Sequence, residues 1–197
     1  MRQMIMIGLA VLAFVSLNLT SSSGQTDVIA LYGDTLRTEC SAYPEDCMVV
    51  LFIFHYSLSG ATGSQFQIAM PPCLEATGEI IGPSMGQPAY PSTGTLETGI
   101  TFQYGTCLTG WIYVTTFAYV DIMGLGGFGA CCEQPVLAHP GASTGQVEAL
   151  DCQSIPRVAS GVSGMVTTVA GCSCTIPTGI PNRETSWGRV KELFRND

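Results

Sequence analysis

Charge is the first thing this chain lacks. Only 11% of its 197 residues are Asp, Glu, Lys or Arg, against about a quarter in ordinary soluble domains. Cations are scarcest: between Gln25 and Ile180 only Arg37 and Arg157 occur, against twelve acids. A body this poor in positive charge repels phosphate backbones, which excludes nucleic acid as a partner. Histidine is limited to His55 and His139, and there is no Cys-x-x-Cys pair. Zinc sites need such sets at fixed spacing, so no metal is expected. An Asp-rich loop of the EF-hand kind is missing too, and no motif argues for a cofactor. No apolar run reaches the roughly 20 residues that span a bilayer. No amphipathic helical period appears before residue 185.

What is present begins with an export pattern. Arg2 precedes the apolar run Ile5–Leu19, and Ser22-Ser23-Gly24 supplies small residues at its exit. Basic head, apolar middle and small-residue exit predict a cleaved secretory signal over 1–24. The mature chain is then expected to be secreted, periplasmic or on the cell surface, with no stable membrane span. Residues 25–176 are enough for one domain with its own core, and 177–197 read as a linker and a short helix. Net charge is −8. The acidic body suits solubility outside the cell, whereas the tail is mildly basic, with Arg183, Arg189, Lys191 and Arg195.

Nine cysteines follow the signal: Cys40, Cys47, Cys73, Cys107, Cys131, Cys132, Cys152, Cys172 and Cys174. In an exported chain they are disulfide candidates, each good bridge adding about 2–4 kcal/mol. An odd number leaves at least one thiol free, capped or bonded between chains. Proximity along the chain favours Cys40 with Cys47, Cys73 with Cys107, and Cys131 or Cys132 with Cys152. Cys172 and Cys174 are too close to bond each other easily, so one reaches elsewhere.

The rest of the body is punctuated strand. Val28–Tyr32 is short and apolar. Met48–Tyr56 is apolar on both alternating faces, as in a strand buried on both sides. Ser57–Ser64, with Gly60 and Gly63, reads as a turn before the alternating strand Gln65–Met70. Gly82–Gly99 reads as a long loop. Ile100, Phe102 and Tyr104 alternate with polar residues, and Trp111–Val120 is the strongest strand. Its odd positions, Trp111, Tyr113, Phe117 and Tyr119, form an aromatic stripe that reads as core; facing solvent it would be a platform for sugar rings. Val136–His139, Gln146–Leu150 and Arg157–Gly171 complete the strand candidates. In the tail, Trp187, Val190, Leu193 and Phe194 fall on one helical face. That stripe either docks on its own domain or frays, or it forms a partner-binding or sorting tail.

Catalytic motifs fail on context. Gly124–Gly129 fits G-x-G-x-x-G, but Ala130-Cys131-Cys132-Glu133-Gln134-Pro135 cannot supply the helix a dinucleotide needs. Gly141-Ala142-Ser143-Thr144-Gly145 fits G-x-S-x-G, yet both histidines precede Ser143, against the order of a nucleophile elbow. The order His55, Asp121, Ser143 matches the other serine-hydrolase arrangement, but His55 sits in the most apolar strand, where a satisfied core imidazole is expected. Glu75, Glu79, Glu97, Asp121, Glu133 and Asp151 are the carboxylates a glycosidase could pair, and their spacing brings no two together.

The succession Val28–Tyr32, Met48–Tyr56, Gly60 through Gln65-Phe66-Gln67-Ile68, then Trp111–Val120 and a short strand at Val147, resembles cohesin-like and immunoglobulin-like β-sandwiches of bacterial extracellular proteins. The resemblance covers roughly Asp27–Cys152 and implies a β-sandwich. Cohesin-type domains usually lack cysteines, and no functional residue is carried over. The closing string Ser186–Phe194 resembles the endings of exported proteins of environmental bacteria. Short strands, Gly/Pro turns and no early helix give the same fold class: all-β, a disulfide-stapled sandwich, immunoglobulin-like or jelly-roll-like, with a short C-terminal helix. The expected function is an exported non-catalytic structural, adhesive or carbohydrate-binding module, with a cell-surface protein or polysaccharide as partner. The alternative is a secreted hydrolase on the same fold.

Overall fold

The computed structural model describes residues 27–43, 48–71, 78–82, 90–121, 132–166 and 174. The expected export signal, the Gly124–Gly129 motif, Glu75, Cys47, Cys73, Cys131, Cys172 and the stripe Trp187, Val190, Leu193, Phe194 lie outside the described residues.

Two long strands dominate. β3 (Met48–Ile68) and β6 (Gly99–Asp121) pair antiparallel almost throughout, from Met48 opposite Val120 to Phe66 opposite Ile100. On the other side of β3, β1 (Asp27–Tyr32) pairs with its first half, and β9 (Glu148–Leu150) and β8 (Val136–Leu137) pair with its second. The edges are β4 (Gly78–Ile81) and β5 (Ser92–Thr95) along β6, β10 (Pro156–Val158) beside β9, and β11 (Ser160–Val162) beside β1. A second, three-stranded sheet joins β2 (Ser41–Ala42), β12 (Gly164–Val166) and β7 (Cys132–Gln134). The fold is an all-β sandwich, and no helix occurs among the described residues.

The ribbon is long because the glycines inside it bend it without ending it. Ser57–Ser64 is a corner within β3, and the expected turn is corrected accordingly. Pairing with β6 slips between Ser57, Ala61 and Gly63, and Gly60 takes φ 91°, a left-handed conformation that only glycine adopts cheaply. The slip also changes which residues face inward. Before the corner Val49, Leu51, Ile53, His55 and Ser57 are buried; after it Ser64, Phe66 and Ile68 are. Gly105 and Gly110 likewise sit within β6, which therefore unites the two strands read separately in the sequence. The expected loop Gly82–Gly99 contains β5, and Arg157–Gly171 holds three short strands.

One apolar core fills the inside: Ile29, Leu31, Leu51, Ile53, Phe66, Phe102, Phe117 and Tyr119 are essentially inaccessible. Each such side chain contributes about 1.5–3 kcal/mol.

Among the described residues two disulfides are formed, Cys40–Cys174 and Cys107–Cys152. This corrects the pairings expected from sequence proximity, in which Cys40 met Cys47, Cys107 met Cys73, and Cys152 met Cys131 or Cys132. Strand neighbours here are distant in sequence. Cys107, in β6, lies across the β3 corner, and β9 pairs with Gly63–Gln65 and so delivers Cys152 to the same place. Cys174 does reach elsewhere, closing a span of 134 residues.

Candidate functional site

Alternation along β1 and β3 sends two different kinds of chemistry to the two faces of one sheet. Inward go Asp27 and His55, both fully buried. Asp27 Oδ1 faces His55 Nε2 at 3.3 Å. Because a carboxylate only accepts, that ring nitrogen carries the proton. The other ring nitrogen, Nδ1, and Ser64 Oγ each lie 2.9 Å from the Tyr104 hydroxyl, which bridges them. From β10, Arg157 closes the other end. Its Nε is 2.5 Å from Asp27 Oδ2, and its Nη2 donates to Asp27 Oδ1, Ser57 Oγ and the Gly60 carbonyl.

Burial pushes the Asp27 carboxyl up, but hydrogen bonds from His55, Ser57 and Arg157 outweigh it and hold the group below its ordinary range. Burial pushes the Tyr104 phenol far up, so it stays protonated and able to donate. The cluster is therefore closed on itself. Its acid is ionised and held, and both nitrogens of its imidazole are engaged. That is a buried polar network held by charge and hydrogen bonds, which tethers β1, β3, β6 and β10.

The serine-hydrolase constellation is not assembled. His55 spends its nitrogens on Asp27 and Tyr104. Ser143 instead donates to Glu148 Oε1 at 2.7 Å, which also accepts the Thr144 N–H. Burial raises the Glu148 carboxyl and these bonds lower it further, so it is held as an anion that ties down the 143–147 loop. No helix follows this loop, as a nucleophile elbow would require. Of the carboxylates considered for glycoside hydrolysis, Glu79, Glu97 and Glu133 are exposed, and Asp151 folds back to accept the Gln153 and Ile155 N–H groups.

Outward on the same strands go aromatic rings. Val28, Ala30 and Tyr32 of β1 lie beside Phe52, Phe54 and Tyr56 of β3, and these lie beside Trp111 and Tyr113 of β6. The aromatic stripe expected as core is split. Register slips by one residue between Ile53/Thr115 and Phe54/Tyr113, a bulge at Val114. Phe117 and Tyr119 stay in the core, while Trp111 and Tyr113 turn to the outer face, partly exposed with Tyr56 and Phe52. Edge-to-face and tilted contacts knit the rings, with Tyr56–Trp111 centroids 5.2 Å apart and Phe54–Tyr113 5.4 Å. The Gly33–Glu39 loop, pinned by Asp34 to the Thr38 and Glu39 N–H groups, lays the Arg37 guanidinium 4.8 Å from the Trp111 ring and 5.1 Å from that of Phe54. Burial beneath this loop pushes the Tyr32 phenol up to about 12, although Arg37 nearby draws it down.

Sequence reasoning placed His55 as a satisfied core imidazole but missed its partners. The available signal was thin: one Asp opening an apolar strand, and one of only two arginines in an acidic body. Neither signal names the other residue.

No family model matches the chain, and no curated protein matches it. Among solved structures it is similar to a non-cellulosomal cohesin from the hyperthermophilic archaeon Archaeoglobus fulgidus. The two share 11% identity over 74% of this chain and 92% of that one, with a TM-score of 0.48.

Proposed function

We propose that this chain is an exported, non-catalytic adhesive module that holds polysaccharide on the outer aromatic face of β1, β3 and β6. The observation that carries this reading is the division between the two faces of β1, β3 and β6. Groups able to move protons are sealed inside and bonded to one another, whereas Phe52, Tyr56, Trp111 and Tyr113 are partly exposed outside. Planar rings side by side on a stiff sheet suit the apolar faces of sugar rings. A rigid sheet also pays little entropy to hold them in place. The disulfides fit an oxidising compartment, which agrees with the export pattern.

The test is retention of the mature protein on insoluble polysaccharides and cell-envelope preparations. Saturable retention without release of soluble sugar supports the reading. Steady turnover of a glycan, abolished by His55→Gln in a variant that still folds, overturns it in favour of a hydrolase.

A further inference from the structure

The β3 corner carries a second kind of chemistry. Cys107 is exposed and Cys152 is half-buried, whereas Cys40 of the other bridge is 7% accessible. Leu58, two residues before Gly60, and Ile155, three residues after Cys152, are 67% and 59% accessible. They give a reducing partner apolar surface to rest on. Beneath the bridge lies Gly60. A Cβ added there would sit 2.6 Å from Cys107 Sγ and 2.7 Å from Cys152 Sγ, so the sulfurs rest directly on its Cα. The carbonyl of the same glycine accepts from Arg157, whose guanidinium holds Asp27, which in turn holds His55. Bridge, corner and buried cluster are thus consecutive contacts.

We infer that Cys107–Cys152 is a thiol–disulfide exchange site, at which a dithiol reductant loosens the β3 corner and, through Gly60 and Arg157, the buried charge cluster. A thiolate of the reductant attacks Cys107 Sγ, the Cys107–Cys152 bond breaks, and Cys152 leaves as a thiolate that takes a proton. The second thiol of the reductant then displaces Cys107. The bridge has gained two electrons and two protons, and the dithiol has become a cyclic disulfide. The Cys40–Cys174 bridge, with Cys40 inside, stays closed at that stage.

The experiment titrates the oxidised full mature protein with dithiothreitol, quenches by alkylation, and maps labelled peptides. His55 is followed by imidazole NMR with 15N-histidine, and assigned against His139→Gln. Cys107 and Cys152 are expected to label at least tenfold sooner than Cys40 and Cys174, and the His55 resonances to move as that phase completes. The double variant Cys107→Ser/Cys152→Ser should show the shifted His55 resonances without reductant. Equal or earlier labelling of Cys40 and Cys174 overturns the inference. So do His55 resonances unchanged after Cys107–Cys152 has opened. Should the double variant not fold, the labelling order and the His55 response of the wild-type protein decide alone.

Discussion

Arg157 grips Asp27 across 130 residues of chain, with its Nε 2.5 Å from one carboxylate oxygen and its Nη2 2.9 Å from the other. The pair joins strand β10, near the end of the described chain, to strand β1 at its start. Breaking a buried pair by removing one partner costs about 3–5 kcal/mol, and here Asp27 is fully buried while Arg157 is 27% accessible, which places the cost at the low end. Asp27→Asn is therefore expected to lower the unfolding free energy by roughly 3 kcal/mol, read from urea titrations. An unchanged midpoint would show that the pair adds nothing.

The same carboxylate sets the acid limit. Its folded pKa lies below its ordinary 3.8, so the unfolded chain binds the proton more readily. Stability from this group is complete above about pH 5 and is lost as pH falls through 3.8 toward the lower folded value. Glu148, also held below its ordinary 4.5, acts with the same sign. Melting temperature should fall steeply below about pH 4, and Asp27→Asn should flatten that fall. A parallel fall in the variant would refute the assignment.

Tyr104→Phe keeps the ring but deletes the hydroxyl between His55 Nδ1 and Ser64 Oγ. Both partners are then buried without it, at about 1–3 kcal/mol. Tyr104→Phe combined with Ser64→Ala should cost less than the sum of the two changes. Additive losses would mean the contacts are independent.

Gly60→Ala meets two obstacles at once, the left-handed backbone and the Cys107–Cys152 sulfurs. The backbone alone costs about 1–2 kcal/mol. The remainder should disappear in the Cys107→Ser/Cys152→Ser background, where the cycle measures the bridge's contact with the corner. A cost independent of the bridge would contradict the packing.

Much of the fold was legible because alternation survives in single strands. Val28–Tyr32 and Met48–Tyr56 are strands with two apolar faces, and the structure gives each face its own cluster. The union of strands was not legible. Gly60, Gly63, Gly105 and Gly110 carry the same chemistry in a hairpin turn as in a bulged corner, and only the partner strand decides between them. The Val114 bulge was hidden for the same reason, so a stripe that looked continuous is divided between core and surface. The disulfide pairings and the Asp27–His55–Arg157 cluster depend on contacts between residues far apart in sequence, and local spacing carries no trace of them.

Depletion binding on insoluble polysaccharide tests the outer aromatic face most directly. The comparison is between wild type and the Tyr56→Ala/Tyr113→Ala variant. Both positions are partly exposed and outside the main core, so the variant is expected to fold with a small loss of stability. Saturable retention of the wild type, at least tenfold weaker retention of the variant, and no soluble sugar from either are expected. Equal retention of the two proteins, or sugar released by the wild type, would contradict non-catalytic binding on that face.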